Sequence, residues 1–219
     1  FEMKVLSVSD IHGDLGAGEF VNRVSDRLEP DLVVISGDIT TFGPASVAEK
    51  ILSPIKTRCA AVPGNCDPDE VLAVIERNCI SLHGKRETID GIDFVGIGGS
   101  PISSGATPRE MEDGEIESLV RGAISNGCVL VTHTPPLGIN DLVPNGPRLG
   151  SEVISRLVRE FRPILVLSGH VHEARGIVDR EGTIFANPGP LKEGFVVLAE
   201  VGQHVSAELV DMRSELKTF

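Results

Sequence analysis

Five short apolar runs, rich in β-branched residues, each lead into an imidazole, a carboxylate or an amide. Val5-Leu6-Ser7-Val8 leads into Asp10-Ile11-His12, Leu32 to Ile35 into Gly37-Asp38, and Ala60 to Val62 into Gly64-Asn65. Val129-Leu130-Val131 leads into His133, and Ile164 to Leu167 into Gly169-His170-Val171-His172. In the first half the runs alternate with helical spacing: Met3 to Val8, then Phe20, Val21, Val24 and Leu28, then Leu32 to Ile35, then Cys59 to Val62. This βαβαβ order predicts a parallel sheet with helices on its faces and functional groups outside the carboxyl ends of its strands.

From Ile80 the pattern changes to short strands separated by turn signals at His83-Gly84-Lys85 and Asp90-Gly91, read as hairpins. A helix is expected around Ile116, Leu119, Val120 and Ile124. Period-two runs follow at Ile164 to Leu167, Gly176 to Val178, Thr183 to Ala186, Phe195 to Val201 and Val205 to Val210. With no internal repeat and no linker, the expectation is one domain over residues 1–219 in which two sheets pack together; Phe1-Glu2, ahead of Met3, is set aside. Two long loops, Gly98 to Arg109 and Thr134 to Gly150, are expected to shape a substrate pocket. Their arginines, Arg109 and Arg148, are expected to be solvated rather than to hold a phosphate. His83 and His204 are expected at surface turns.

Charge and aromatic content narrow the partners. With 20 Lys+Arg against 32 Asp+Glu the formal charge is −12, so the molecule as a whole repels polyanions. The chain has no Trp or Tyr on which bases could stack, so a nucleic-acid binder is not expected. Four cysteines, Cys59, Cys66, Cys79 and Cys128, form no C-x-x-C pair, and each lies in or beside an apolar stretch, as reduced thiols do. The expectation is a cytoplasmic protein without membrane association, and a homo-oligomer is compatible with the sequence.

In an extended segment residues i and i+2 project to one side, so Asp10 with His12, and His170 with His172, would each offer two ligands in one direction. Nitrogen and oxygen donors without a thiolate pair suit Mn, Fe, Co, Ni or Zn better than a structural thiolate site. Asp38, with two oxygens, is the candidate to bridge two ions. Taken singly, the first two motifs also fit ordinary turns and His133 a core histidine; the five in order argue for one site. Gly64-Asn65-Cys66-Asp67 reads as a turn into a helix, with Asp67 as the cap, Pro68 in the first turn, and Asp69 and Glu70 placed for the dipole. Such a turn does not require Cys66.

The blocks Asp10-x-His12, Gly37-Asp38, Gly64-Asn65-Cys66-Asp67, His133 and Gly169-His170-x-His172 resemble, in this order, the calcineurin-like metallophosphoesterase superfamily. Asn187-Pro188-Gly189 resembles a turn of its small prokaryotic phosphodiesterase branch. The resemblance implies a four-layer α/β/β/α sandwich of two mixed β-sheets flanked by helices, with a dinuclear metal centre at the strand ends. By position, Asp10, His12, Asp38 and His172 would hold one divalent ion, and Asp38, Asn65, His133 and His170 the other, with manganese first among the candidates. The catalytic set would be His133, Asp38, Asn65 and Cys66, delivering a metal-bridging hydroxide to a small phosphoester. Cys66 stands where many members carry His. Loss of a cationic donor penalises a doubly charged monoester more than a singly charged diester, so phosphodiester hydrolysis is favoured over phosphomonoester hydrolysis. A bland reading of Cys66 as a space-filler stands beside this. A noncatalytic module, as in the retromer-subunit branch, is disfavoured because no ligand position is lost.

Overall fold

Along β1 (Met3–Val8) the side chains alternate between two apolar layers: Met3 and Val5 enter one, Leu6 and Val8 the other. A strand buried on both faces needs partners on both, and the computed structural model, which describes residues 2–103 and 105–216, supplies them. In chain order β1 is followed by α1 (Ala17–Leu28), β2 (Leu32–Ser36), α2 (Ala45–Leu52), β3 (Cys59–Val62), α3 (Asp69–Asn78) and β4 (Ile80–Ser81). Then come β5 (Arg86–Ile89), β6 (Ile92–Ile97), β7 (Ser100–Pro101), β8 (Glu110–Met111), α4 (Asp113–Val120), β9 (Val129–Thr132), α5 (Glu152–Phe161) and β10 (Leu165–Leu167). The last strands are β11 (Gly176–Arg180), β12 (Thr183–Asn187), β13 (Phe195–Val201) and β14 (Val205–Asp211).

The first sheet runs β14-β13-β1-β2-β3-β4, with β1 to β4 parallel and β13 and β14 antiparallel beside them. The second runs β11-β12-β10-β9-β6-β5, a parallel centre of β12, β10, β9 and β6 with an antiparallel strand at each edge. Between the sheets Met3, Val5, Leu32 and Val34 meet Phe94, Val129, Val131 and Leu167. Outside the first sheet Leu6, Val8 and Ile35 pack on α1 to α3, and outside the second Val95, Leu130 and Val166 pack on α4 and α5. This is the expected α/β/β/α sandwich of two mixed sheets.

Three local expectations change. His83-Gly84-Lys85 is not a hairpin: β4 pairs parallel with β3, so the segment carries the chain from the first sheet to the second. His83 is correspondingly not at the surface. It is partly buried, and its Nδ1 accepts from the Gly98 N–H at 3.0 Å. Helices α2 and α5 lie outside the expected pattern; in α5 Ser151 caps the first turn through the Ile154 N–H, while Val153, Ile154 and Leu157 face the sheet. His204 is exposed, as expected. Within the loop expected at Gly98 to Arg109, Ser104 lies outside the described residues, as does Phe1. Among the described residues no helix is long and apolar enough to cross a membrane.

Candidate metal centre

The five motif-bearing strands β1, β2, β3, β9 and β10 end on one side of the sandwich, and their loops interlock through the backbone. The Asp10 N–H donates to the Gly37 carbonyl at 3.1 Å, His12 N–H to Asp38 at 2.8 Å, and Gly169 N–H to His133 at 3.0 Å. Two motif glycines allow this approach. A Cβ on Gly64 would collide with the backbone and carboxylate of Asp38, and one on Gly169 with Ser9 and Asp10.

Asp10, His12, Asp38 and His170 have φ of 54°, 52°, 49° and 66°, in the left-handed region that residues other than Gly seldom occupy. The premise of extended backbone is thereby corrected: Asp10 and His12 still turn toward each other, with Oδ1 and Nε2 3.9 Å apart, but His170 and His172 do not. His170 instead turns its Nδ1 to Asn65 Oδ1 at 3.0 Å, while His172 places Nε2 3.3 Å from Asp10 Oδ1 and 3.2 Å from His12 Nε2. The two histidines of one motif thus serve two different clusters. Such strain persists where surrounding bonds fix it, and it gathers at functional sites.

All seven residues named as candidate ligands converge. In one cluster Asp10, His12 and His172 bring an oxygen and two nitrogens within 4.8 Å of one another. In the other, His133 Nε2 lies 2.8 Å from Asn65 Oδ1 and 3.4 Å from Asp38 Oδ1. Asp38 spans the two, since its Oδ2 is 3.8 Å from His12 Nε2. The Cys66 thiol, with His12 and Asp38, forms a third close group.

The donor chemistry fits divalent cations. His133 is fully buried, and its Nδ1 lies 2.7 Å from the Ser36 carbonyl, which can only accept; the ring proton therefore sits on Nδ1. Nε2 then presents a lone pair to the oxygens of Asn65 and Asp38, three acceptors facing one another with no donor among them. A cation resolves that conflict, and a carbonyl fixing the tautomer of a ligating imidazole is the usual support for one. Protonation is the alternative response, and burial opposes it while Asp38 and Asp10 favour it; the carboxylates win, raising the pKa of His133. Burial and the neighbouring His133 push His170 down to about 4, which keeps the lone pair of one ring nitrogen available. Burial alone would raise Asp10, but the His172 hydrogen bond and the charges of His133 and His172 bring it down to about 2. That same bond raises His172.

Asp67 is not the helix cap. Pro68 occupies that position, and the Asp67 carboxylate is fully buried. It accepts from the Ile39 N–H at 3.0 Å, the Thr40 N–H at 2.8 Å, the Thr40 hydroxyl at 2.9 Å and the Gly64 N–H at 2.8 Å. It therefore ties the loop after Asp38 to the one before Asn65. The Cys66 thiol is half-buried, and burial with the nearby Asp38 charge pushes its pKa up, so it stays protonated. Its backbone N–H donates to Asp38 Oδ1 at 2.9 Å.

Arg109 is not solvated. Its side chain is 10 % exposed and holds Asp69 at 2.9 Å and the Asp67 carbonyl, while its backbone N–H bonds the Asn65 carbonyl. Arg148 is half-exposed and paired with the buried Asp141. Sequence reasoning missed Thr107, whose hydroxyl meets Asn65 Nδ2 at 3.1 Å, and Thr41, 3.2 Å from His12 Nδ1. Neither belongs to a motif. Asn187 has a definite part: its amide donates to the Val171 carbonyl at 2.9 Å and pins the loop carrying His170 and His172.

Comparison with known proteins gives this geometry a context. The family model described as calcineurin-like phosphoesterase matches residues 3–174. Uncharacterized protein MJ1162 of Methanocaldococcus jannaschii is 34% identical over 199 residues, spanning 86% of this chain and 88% of that one. Human metallophosphoesterase domain-containing protein 1 is 31% identical over 115 residues, 50% of this chain and 34% of that one. Among solved structures, TT1561 of Thermus thermophilus superposes with a TM-score of 0.76 at 18% identity, covering 97% of this chain and 100% of that one. An archaeal phosphodiesterase superposes with a TM-score of 0.53 at 15% identity, covering 95% and 100%. These two likenesses are of fold.

Proposed function

The chain belongs to the calcineurin-like phosphoesterase family, and from that premise we propose that it hydrolyses phosphodiester bonds of a small substrate with two divalent transition-metal ions. Family membership carries the coarser statement, a metal-dependent phosphoric ester hydrolase. The dinuclear centre, the ligand roles and the diester preference are this proposal's own.

Asp10, His12, Asp38 and His172 would hold one ion, and Asp38, Asn65, His133 and His170 the other, with manganese first and Fe, Zn, Ni or Co as alternatives. The carrying observation is the cluster of acceptors at His133 Nε2, Asn65 Oδ1 and Asp38 Oδ1. When bound, two such ions supply Lewis-acid charge to the phosphate, lower the pKa of water toward neutrality and make the site locally positive in an acidic protein.

The chain's own residues set the stage for that chemistry. The Ser36 carbonyl holds the His133 proton on Nδ1, so Nε2 faces the centre. Asp38 ties the clusters together, and the Cys66 N–H fixes the orientation of its carboxylate. The Cys66 thiol stays neutral and brings no positive charge where a second phosphate charge would need one. A singly charged diester therefore suffers least from the residue at this position.

The test is hydrolysis of generic aryl phosphodiester and monoester substrates by manganese-loaded protein. Diester preference, abolished by chelation, is the expected result; monoester preference overturns the diester proposal. Cys66→His is expected to raise monoester turnover relative to diester turnover, and an unchanged ratio leaves Cys66 a space-filler.

A further inference from the structure

Six large apolar side chains stand exposed among the described residues, and five of them, Leu15, Phe42, Ile102, Leu142 and Leu149, lie on loops that carry candidate ligands or are hydrogen-bonded to segments that do. Leu15 is in the loop entered by His12. The Phe42 N–H donates to the Cys66 carbonyl at 2.9 Å, and Thr41 beside it touches the His12 ring. Ile102 shares its loop with Thr107, which holds Asn65. Leu142 and Leu149 belong to the loop anchored by Asn140, whose side chain donates to the Ala174 carbonyl at 3.0 Å, just past His172.

Exposed apolar residues scattered singly need no explanation. Their placement on the loops tied to one polar centre does, because apolar surface beside convergent polar groups is how ligand sites are built. The cations on these loops do not answer a polyanionic ligand. Arg109 is held by Asp69 and Arg148 by Asp141. Neither Trp nor Tyr is present to stack a base.

We infer that the substrate is a phosphodiester bearing an apolar alkyl or aryl arm, which lies on the rim formed by Phe42, Ile102, Leu142 and Leu149. This rests on the phosphodiesterase reading. The test uses manganese-loaded protein and p-nitrophenyl phosphodiesters whose second arm is methyl, butyl or octyl, kept below their micellar concentrations. The expected result is a gain of at least about tenfold in kcat/KM from methyl to octyl, through KM. Phe42→Ser with Leu142→Ser is expected to reduce that octyl-to-methyl ratio. Methyl(octyl)phosphinate, a singly charged analogue that cannot be hydrolysed, is expected to bind with a negative heat-capacity change in calorimetry. Equal kcat/KM for all three esters overturns the apolar arm and leaves phosphodiester hydrolysis standing; no cleavage of any diester overturns both. A gain seen only for ester embedded in phosphatidylcholine vesicles overturns it in favour of a membrane surface.

The first sheet carries a second inference independently. Cys59 opens β3, Cys79 follows α3, and the parallel pairing of Ala60 with Ile80 sets the two cysteines side by side. Their sulfurs are 2.7 Å apart, inside the contact distance of two nonbonded sulfurs. We propose that Cys59 and Cys79 form a disulfide when met by a small-molecule disulfide such as oxidised glutathione. The partly exposed Cys79, as thiolate, attacks one sulfur of the oxidant and expels a thiolate. Cys59, which is buried, then attacks the Cys79 sulfur of the mixed disulfide, and its proton passes to the departing sulfur, which leaves as the second thiol. Two cysteine thiols are oxidised by two electrons, and the oxidant leaves as two thiols. The bond would close the base of the segment that carries Asn65, Cys66 and Asp67. After incubation of the native protein with oxidised glutathione, denaturing alkylation is expected to label two of the four cysteines, and peptide mapping to link Cys59 to Cys79. Four labelled cysteines, or a glutathione adduct on Cys79 with Cys59 still labelled, overturns it.

Discussion

Replacing Asp67 by Asn changes one atom and tests whether this carboxylate braces the site. Asp67 accepts four hydrogen bonds from Ile39, Thr40 and Gly64, all of them buried. Whichever way the amide is turned, its NH2 faces backbone donors: Thr40 N–H in one orientation, Ile39 and Gly64 N–H in the other. Each buried donor left without an acceptor costs about 1–3 kcal/mol. Relief of the buried charge offsets part of this, since burial first and the nearby Asp38 charge second raise the Asp67 pKa. The expected net loss is about 2–4 kcal/mol. Urea denaturation of metal-free protein, followed by far-ultraviolet circular dichroism because the chain has no Trp, measures it. The control is Asp26→Asn, an exposed position expected to stay within about 0.5 kcal/mol of wild type. A loss for Asp67→Asn no larger than that of the control refutes the bracing role.

Three further outcomes follow from the same geometry. Gly64→Ala drives a Cβ into Asp38 and should destabilise by about 3 kcal/mol or more, with loss of manganese uptake measured by equilibrium dialysis. Manganese should stabilise the wild type against heat, by about 4 kcal/mol at a thousand times Kd, and the gain should vanish on chelation or in His133→Ala. His83 concerns pH. Burial, then the charges of Arg109 and Lys85, lower its pKa from 6.5 to about 4, so between those values the unfolded chain binds the proton and the folded chain does not. Stability should therefore fall as pH drops through that window, by about 1–2 kcal/mol after allowance for partial exposure, and His83→Gln should flatten the slope.

The alternation of strands and helices in the first half and the identity of the clustering residues are legible in the sequence because both follow from local pattern: short apolar runs separated by helical spacing, and a polar group after each run. The direction in which each candidate ligand points is not. Asp10, His12, Asp38 and His170 adopt left-handed backbone although none is glycine, and the bonds that hold them there come from loops remote in sequence. Asp67 reads as a cap because Pro68 follows it, whereas its partners Ile39 and Thr40 lie 28 and 27 residues away. The adjacency of Cys59 and Cys79 depends on β4 lying parallel to β3, which a two-residue strand does not announce. Arg109 reads as solvated because the contacts that hold it, Asp67 and Asp69, belong to the turn into α3 and its first residue, about 40 positions away in the sequence.

The shortest side-chain contacts among the candidate ligands cross from one sheet's loops to the other's, Asn65 to His133 and His170, His12 and Asp10 to His172. The centre is thus a gauge of the distance between the two sheets. A volume change in the layer containing Phe94, remote from any ligand, would alter how far apart the two rows of donors stand. The hydrocarbon filling of the sandwich and the spacing of the candidate ligands are, on this account, one mechanical quantity.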